Sequence, residues 1–407
     1  MIDFAEARQS VMHHCPRLPK TTIPVARSLG FVLAETVRAS TPLPRFDASA
    51  VDGYAVRSAD LISASRDCPV ALMPQGAVRA GDTGRMKLKP GHTVRILTGA
   101  VVPKGADALV MQEHVHIEQG EVMFSAPASP RDNIRFRGEE FSKGEMILEP
   151  GAIIAPPVVA MLATLGQGRV GVYCKPRVAL VVTGDELRAP GSRLRRGQIY
   201  DSNTPGLVAA LEAAGIEKIE KFRVGDNPKR IEQTFRRAFA QADVVISSGG
   251  VSVGSSDFVK DVLDKLKVRN IFWRVAIKPG KPLYFGRRGK TLVFGLPGNP
   301  VAVLLGFHLF IKPALLRMMG AGTTNQLTLN AFLMNDLKKT PGRMEFVRGM
   351  LTLDAEKKLH VLPTRGQDSR MMGGLATANC LIHFPKGIDR LSAGSAVTVS
   401  LLHWSVQ

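Results

Sequence analysis

The chain has 407 residues, more than one hydrophobic core can serve, so two to four folded units are expected. Hydrophobic residues make up 45% and charged residues 22%, with 39 Gly and 26 Pro, which excludes a disordered or fibrous chain. The net charge of +19, from 54 Lys and Arg against 35 Asp and Glu, favours anionic ligands, while scattered basic residues and 6% aromatic content weigh against nucleic acid.

The first residues carry Asp3, Glu6 and two His where a secretory signal needs a basic start and an apolar run, so none is expected. Residues 3–14 and 24–36 have apolar spacing of the helical kind (Phe4, Ala7, Val11; Val25, Leu29, Val32, Leu33). From 41 to 134 the pattern changes to short strand-like runs cut by Gly and Pro, a β-rich domain. A Pro-initiated helix is predicted over 157–165, stopped by Gly166.

Beyond Pro176 strands and helices alternate, the signature of a wound α/β domain with a mostly parallel sheet. IFWRVAIK reads as one strand, and TLVFGLPG as the last strand of the sheet. Asn203, Asn227 and Asn299 each precede a Pro-initiated helix and read as its cap. After Gly320 short β-like runs return, so a small β-barrel or sandwich should close the chain.

The fold class is therefore α/β plus β, with a central wound α/β domain, a β-rich insert and a C-terminal β-barrel. The expected partition is 1–40 with 135–172 as a helical linking domain, 41–134, 173–318 and 319–407. Four dispersed cysteines (Cys15, Cys68, Cys174, Cys380) form neither a zinc spacing nor a disulfide framework, which fits a reducing, cytoplasmic compartment. The apolar runs 151–166 and 301–311 are short and interrupted, so no membrane span is expected.

In an open α/β sheet, ligands bind where the carboxyl ends of the strands pass into helices. Thr183-Gly184-Asp185-Glu186 follows the first strand and offers a hydroxyl, a permissive Gly and two carboxylates suited to a hydrated divalent cation; helix capping is the bland reading. Ser247 to Gly254 follows the third strand with three Gly and several hydroxyls, then Asp257 opens a helix, a loop suited to cradling phosphate. It is neither a Walker A loop nor a G-x-G-x-x-G fingerprint. Lys278-Pro279-Gly280-Lys281 fixes two cations on a stiff turn, and Leu296 to Pro300 opens another helix toward the same edge.

With these motifs in order, the chain resembles the molybdopterin molybdenumtransferase family, the MoeA-type proteins and the related domain of gephyrin. The likeness runs over about residues 25–400, through PRFDASAVDGYAVR (44–57), GHTVRILTGAVVPKGADALVMQE (91–113), NIRFRGEE (133–140), RVALVVTGDEL (177–187), GQIYDSN (197–203), SSGGVSVGSSDFVK (247–260), KPGKP and GLPGNP. The resemblance implies an elongated four-part subunit and a homodimer whose site forms between the α/β domain and the β domain of the partner subunit. It implies that Asp185, Glu186 and Asp257 bind Mg²⁺ and the pterin phosphate. Thr183, Gly184, Ser248, Gly249, Gly250 and Ser252 would hold the ligand, Lys278 and Lys281 would face the anionic substrate, and Pro297 and Pro300 would shape the last loop. Asp52, Thr98, Arg135 and Glu140 would complete the cleft. Glu140, Ser255 and Asn227 stand where the pattern usually has Asp, an acidic residue and a second Asp.

The activity implied is insertion of molybdenum from molybdate into adenylylated molybdopterin with release of AMP, Mg²⁺ and the basic rim screening the charges. Partners implied are molybdopterin adenylyltransferase and molybdoenzyme apoproteins. Two alternatives are a non-catalytic pterin-binding scaffold and a molybdopterin adenylyltransferase; TGDE and Asp257 favour an enzyme, and the extra N- and C-terminal domains argue against the adenylyltransferase.

Overall fold

The structure, a computed structural model, describes residues 1–83, 85–250, 258–324, 326–402 and 404. Two units emerge, one of residues 1–35, 150–159 and 169–407, the other of 36–149 and 160–168.

The smaller unit is built on a curled six-stranded sheet. Its strands are β1 (Gly53–Val56), β2 (Val70–Val78), β3 (His92–Ile96), β4 (Ala108–Met111), β5 (Val115–Glu118) and β6 (Glu121–Phe124), in the order β4-β1-β3-β2-β6-β5. Alternating residues of these short strands fill a core on each face: Tyr54, Val56, Leu72 and Phe124 on one, Ala55, Val94, Ile96 and Leu109 on the other.

In the larger unit, helix α1 (Phe4–His14) starts at Asp3, whose carboxylate accepts the Ala5 N–H, and buries Ala7 and Val11. The helix expected over 24–36 is absent, and only a single 3-10 turn, Val25–Arg27, forms. Gly30 takes a left-handed φ of 75° and breaks the run, after which Leu33 exchanges backbone hydrogen bonds with Gly151 and Ala152. These β-branched and leucine residues therefore serve as sheet-like bridges. The helix predicted over 157–165 spans Pro156–Thr164 (α2), and Gly166 follows it with φ 75°.

The main sheet contains β7 (Val178–Thr183), β8 (Ile219–Val224), β9 (Val244–Ser248), β10 (Arg269–Trp273), β11 (Tyr284–Arg288) and β12 (Thr291–Leu296), in the order β8-β7-β9-β12-β11-β10. The first four are parallel; β11 and β10 add an antiparallel edge. The run IFWRVAIK is thus divided, because Arg274 adopts φ 72° and Ile277–Lys278 pairs instead with residues 344–345. Every residue of β7 is buried, as the continuous apolar run of a covered parallel strand requires, and each buried Val or Leu contributes about 1.5–3 kcal/mol.

Helices α3 (Asn203–Ala213), α4 (Pro228–Gln241) and α5 (Phe258–Lys265) accompany the sheet, followed by α6 (Pro300–Gly306) and α7 (Lys312–Met318), which a π turn over Phe307–Ile311 joins into one helix. The wide turn sits just before Pro313, which has no N–H for an ordinary helical bond. Residues 300–318 are long and apolar enough to cross a membrane, but 78% of that stretch is buried in the core.

The chain ends in a closed five-stranded barrel: β13 (Thr328–Leu333), β14 (Met344–Leu353), β15 (Leu359–Pro363), β16 (Cys380–Phe384) and β17 (Ala396–Leu401). The ring runs β14-β15-β13-β17-β16 and returns to β14, filled by Val347, Val361, Ile382, Phe384 and Val399.

Candidate functional site

Parallel pairing in register brings Thr183, Val224, Ser248 and Leu296 to one edge of the main sheet. The four loops that leave this edge line a cavity of about 370 Å³ with Thr183, Gly184, Glu186, Asn203, Asp226, Ser248, Gly249, Gly250, Gly298 and Asn299 on its walls. Helix dipoles and open backbone N–H groups at such an edge favour anions.

The glycines are there for space. A Cβ on Gly249, whose φ is 90°, would stand 2.7 Å from the Thr183 carbonyl and 2.8 Å from its hydroxyl. One on Gly184 would meet the Glu186 carboxylate at 2.7 Å, and one on Gly250 would meet Val259 at 2.6 Å. The loops therefore pack backbone to backbone and bring Thr183, 95% buried with a hydroxyl that has no partner among the described residues, to the cavity wall.

Asp185 and Asp226, on neighbouring loops, exchange contacts: the Asp185 N–H donates to the Asp226 carboxylate at 3.3 Å and the Asp226 N–H to Asp185 at 3.2 Å. Nothing local in the sequence marks Asp226, because its role depends on β7 and β8 lying side by side. Among the described residues no group of three His, Cys, Asp or Glu side chains is arranged around a metal position. Asp185 and Glu186 are thus placed by the fold without forming a closed carboxylate cage; Ser252 and Asp257 lie outside the described residues.

Ser248 is 1% exposed, and its hydroxyl accepts an N–H from Asn203 at 2.9 Å and faces the Pro297 carbonyl at 3.5 Å. Its hydrogen-bonding capacity is used within the protein, so it braces the loop. Asn203 was expected to cap α3, yet the Asp201 carboxylate accepts the Thr204 N–H and hydroxyl in its place. Asn299 likewise makes no cap and donates to Ser369 at 3.0 Å. Asn227 caps α4 through the Arg230 N–H at 3.1 Å.

A second cavity, about 610 Å³, adjoins the first through Gly298 and Asn299. Its walls include Lys278, Lys281, Pro297 and, from the barrel region, Arg343, Gln367, Asp368 and Ser369. Pro300 opens α6 just beyond this wall. Lys278 pairs with buried Glu345 at 2.9 Å, while Lys281 has no ion-pair partner among the described residues. Sequence alone did not point to the barrel residues, which reach the cavity only through the closed tertiary fold.

In the smaller unit, Thr98 donates both its N–H (2.7 Å) and its hydroxyl (2.8 Å) to Asp52, and these bonds, the backbone one first, hold the Asp52 carboxyl below its ordinary pKa. Arg135 is held by Glu139 at 3.0 Å and lies 3.8 Å from Glu140. Glu139 also accepts the Phe136 N–H, the main cause of its lowered pKa, so it anchors Arg135 more closely than the expected Glu140 does. Thr98 and Arg135 share a pocket of about 410 Å³ with Pro44, Phe46 and Ser49.

Comparison with known proteins agrees over the whole length. Three family models match: the MoeA N-terminal region (domain I and II) over residues 2–166, a probable molybdopterin binding domain over 179–317, and the MoeA C-terminal region (domain IV) over 330–402. A molybdopterin molybdenumtransferase of Haemophilus influenzae is 36% identical over 98% of each chain. One from Staphylococcus aureus is 34% identical over 98% of this chain and 95% of its own. The crystal structure of the molybdopterin biosynthesis moeA protein from Pyrococcus horikoshii OT3 superposes with a TM-score of 0.83 at 30% identity, covering 99% of this chain and 100% of that one.

Proposed function

The chain belongs to the MoeA family of molybdopterin molybdenumtransferases, and on that premise we propose that it inserts molybdenum from molybdate into adenylylated molybdopterin and releases AMP. The observation that carries this reading is the pair of adjoining cavities with Gly298 and Asn299 as their common wall. One is lined by open backbone and carboxylates and suits the pterin and its phosphates; the other carries Lys278, Lys281 and Arg343 and suits an oxyanion. Two anionic substrates are thereby held side by side.

The protein's part in this reaction is positioning and charge stabilisation. Gly249 and Gly250 let the backbone approach a phosphate, and Lys281 and Arg343 offset the charge of molybdate. Water attacks the phosphoanhydride and AMP leaves as the P–O–P bond breaks. Two Mo–S bonds form to the dithiolene while one molybdate oxygen departs as water with the two thiol protons, molybdenum keeping its oxidation state, so no protein nucleophile is required. Mg²⁺ keeps several waters and takes one or two carboxylates together with substrate phosphates, so Asp185 with Asp226 or Glu186 fits it without a three-carboxylate cage. When bound it would screen the phosphate charge.

We further place the chain in the cytoplasm as a homodimer, in which Asp52, Thr98, Arg135 and Glu140 of one subunit complete the cleft of the other. The fixed Asp52–Thr98 and Arg135–Glu139 pairs, ordered around a pocket, support a role in the reaction for that unit. Molybdopterin adenylyltransferase, which would supply the substrate, and apoenzymes that accept the product are the expected partners.

The test is to mix the purified protein with adenylylated molybdopterin, Mg²⁺ and molybdate, and to follow AMP release and reconstitution of a molybdenum-free apoenzyme. Release that depends on molybdate and is lost in Glu186→Ala and Asp257→Ala supports the reading. Tight pterin binding without turnover overturns it in favour of a scaffold.

A further inference from the structure

We propose that Asn203 is a positioning residue that shapes the pterin cavity by fixing the Gly298 turn against the Ser248 loop. Its carboxamide nitrogen donates to the Ser248 hydroxyl at 2.9 Å and to the Gly298 carbonyl at 2.8 Å. A carbonyl can only accept, so the nitrogen, not the oxygen, must face Gly298, and the orientation of the amide is fixed. The two anchors lie on neighbouring loops of the cavity wall: Ser248 ends β9 and leads into Gly249 and Gly250, while Gly298 follows β12, the strand paired with β9, and forms the wall shared with the oxyanion cavity.

Asn203 can do this because Asp201 has taken over the capping of α3. Asp201 is itself 6% exposed and accepts both the Thr204 N–H and hydroxyl, leaving the first helical residue able to reach sideways. Ser248 is almost fully buried, so water does not compete well for its bond to Asn203, while the bond to Gly298 lies at the exposed cavity wall. The backbone pairing of β9 with β12 survives the loss of Asn203, but the Gly298 turn beyond it is no longer tied to the Ser248 loop, and the ligand must then order that turn with its own binding energy.

The inference rests on the reading of this cavity as the pterin site. It is tested by calorimetric titration of the full-length protein and of its Asn203→Ala and Ser248→Ala variants with adenylylated molybdopterin and Mg²⁺, reading dissociation constant and stoichiometry separately. A cleft-setting role predicts that Asn203→Ala weakens binding about tenfold at full stoichiometry, since about 1.4 kcal/mol is tenfold in affinity. Ser248→Ala, which keeps the Gly298 bond, should be weakened less, and the double variant should bind no worse than Asn203→Ala. An unchanged dissociation constant with fewer competent sites would make Asn203 a folding residue only and overturn the proposal. Additive losses in the double variant would also overturn it, because the two side chains would then act independently. Absence of binding by the unsubstituted protein would sink the pterin reading, and this inference with it.

Discussion

Asp185 and Asp226 each accept a backbone N–H from the other across adjacent strand ends, so two carboxylates that would repel one another are held side by side by their own main chains. A Cβ on Gly225 would overlap the Asp185 carboxylate. Gly225→Ala should therefore turn Asp185 away and raise the Mg²⁺ concentration needed for AMP release by about tenfold, with a small effect on stability. Mg²⁺ titration of AMP release together with the urea midpoint checks this; an unchanged Mg²⁺ requirement would remove Asp185 from the metal's surroundings.

Gly249 supplies both a left-handed backbone and the space that Thr183 fills. Gly249→Ala combines backbone strain with displacement of buried Thr183 and should destabilise the larger unit by about 1–3 kcal/mol while abolishing AMP release. Equilibrium denaturation in urea, read beside the activity, shows whether both losses occur; a fully stable, active variant contradicts the packing described.

The two lysines of the Lys278–Lys281 turn should behave differently when removed. Lys278→Ala leaves buried Glu345 without its partner and should lose stability, by about 1–3 kcal/mol, as well as molybdate affinity. Lys281→Ala breaks no ion pair among the described residues and should lose affinity alone. Thermal unfolding and molybdate titration of both variants separate the two effects, and equal destabilisation would contradict the pairing.

The α/β core and the strand-end loops were legible because their signals are local: a buried apolar run such as Val178–Val182 reads as a covered strand, and Gly followed by carboxylates reads as a site loop. What sequence could not supply was the partner of each side chain. Asn203, Asn227 and Asn299 look alike before a proline, yet only Asn227 caps; the other two are drawn to Ser248 and Ser369, 45 and 70 residues away in sequence. Likewise β11 was hidden, since the reversal between β10 and β11 depends on a left-handed residue, Arg274, that no periodicity announces. Asp226, Glu139 and Ser369 escaped for the same reason: each gains its role from a neighbour chosen by the tertiary fold.

The barrel carries a pH liability at His383. Burial, and then the charge of Arg8, push its pKa down from 6.5 to about 4, and its ring nitrogen Nε2 meets the Ser400 hydroxyl at 2.9 Å. In the unfolded chain this histidine protonates near 6.5, whereas in the fold it stays neutral until about pH 4. The unfolded state thus binds the proton first, and stability present above pH 6.5 should be lost as pH falls from 6.5 to 4, by at most roughly 3 kcal/mol. Urea unfolding between pH 4 and 7 should show this slope, and His383→Gln, which cannot titrate, should flatten it at the expense of some stability at neutral pH. If the slope survives the substitution, the acid sensitivity belongs to other groups and the burial of His383 has no part in it.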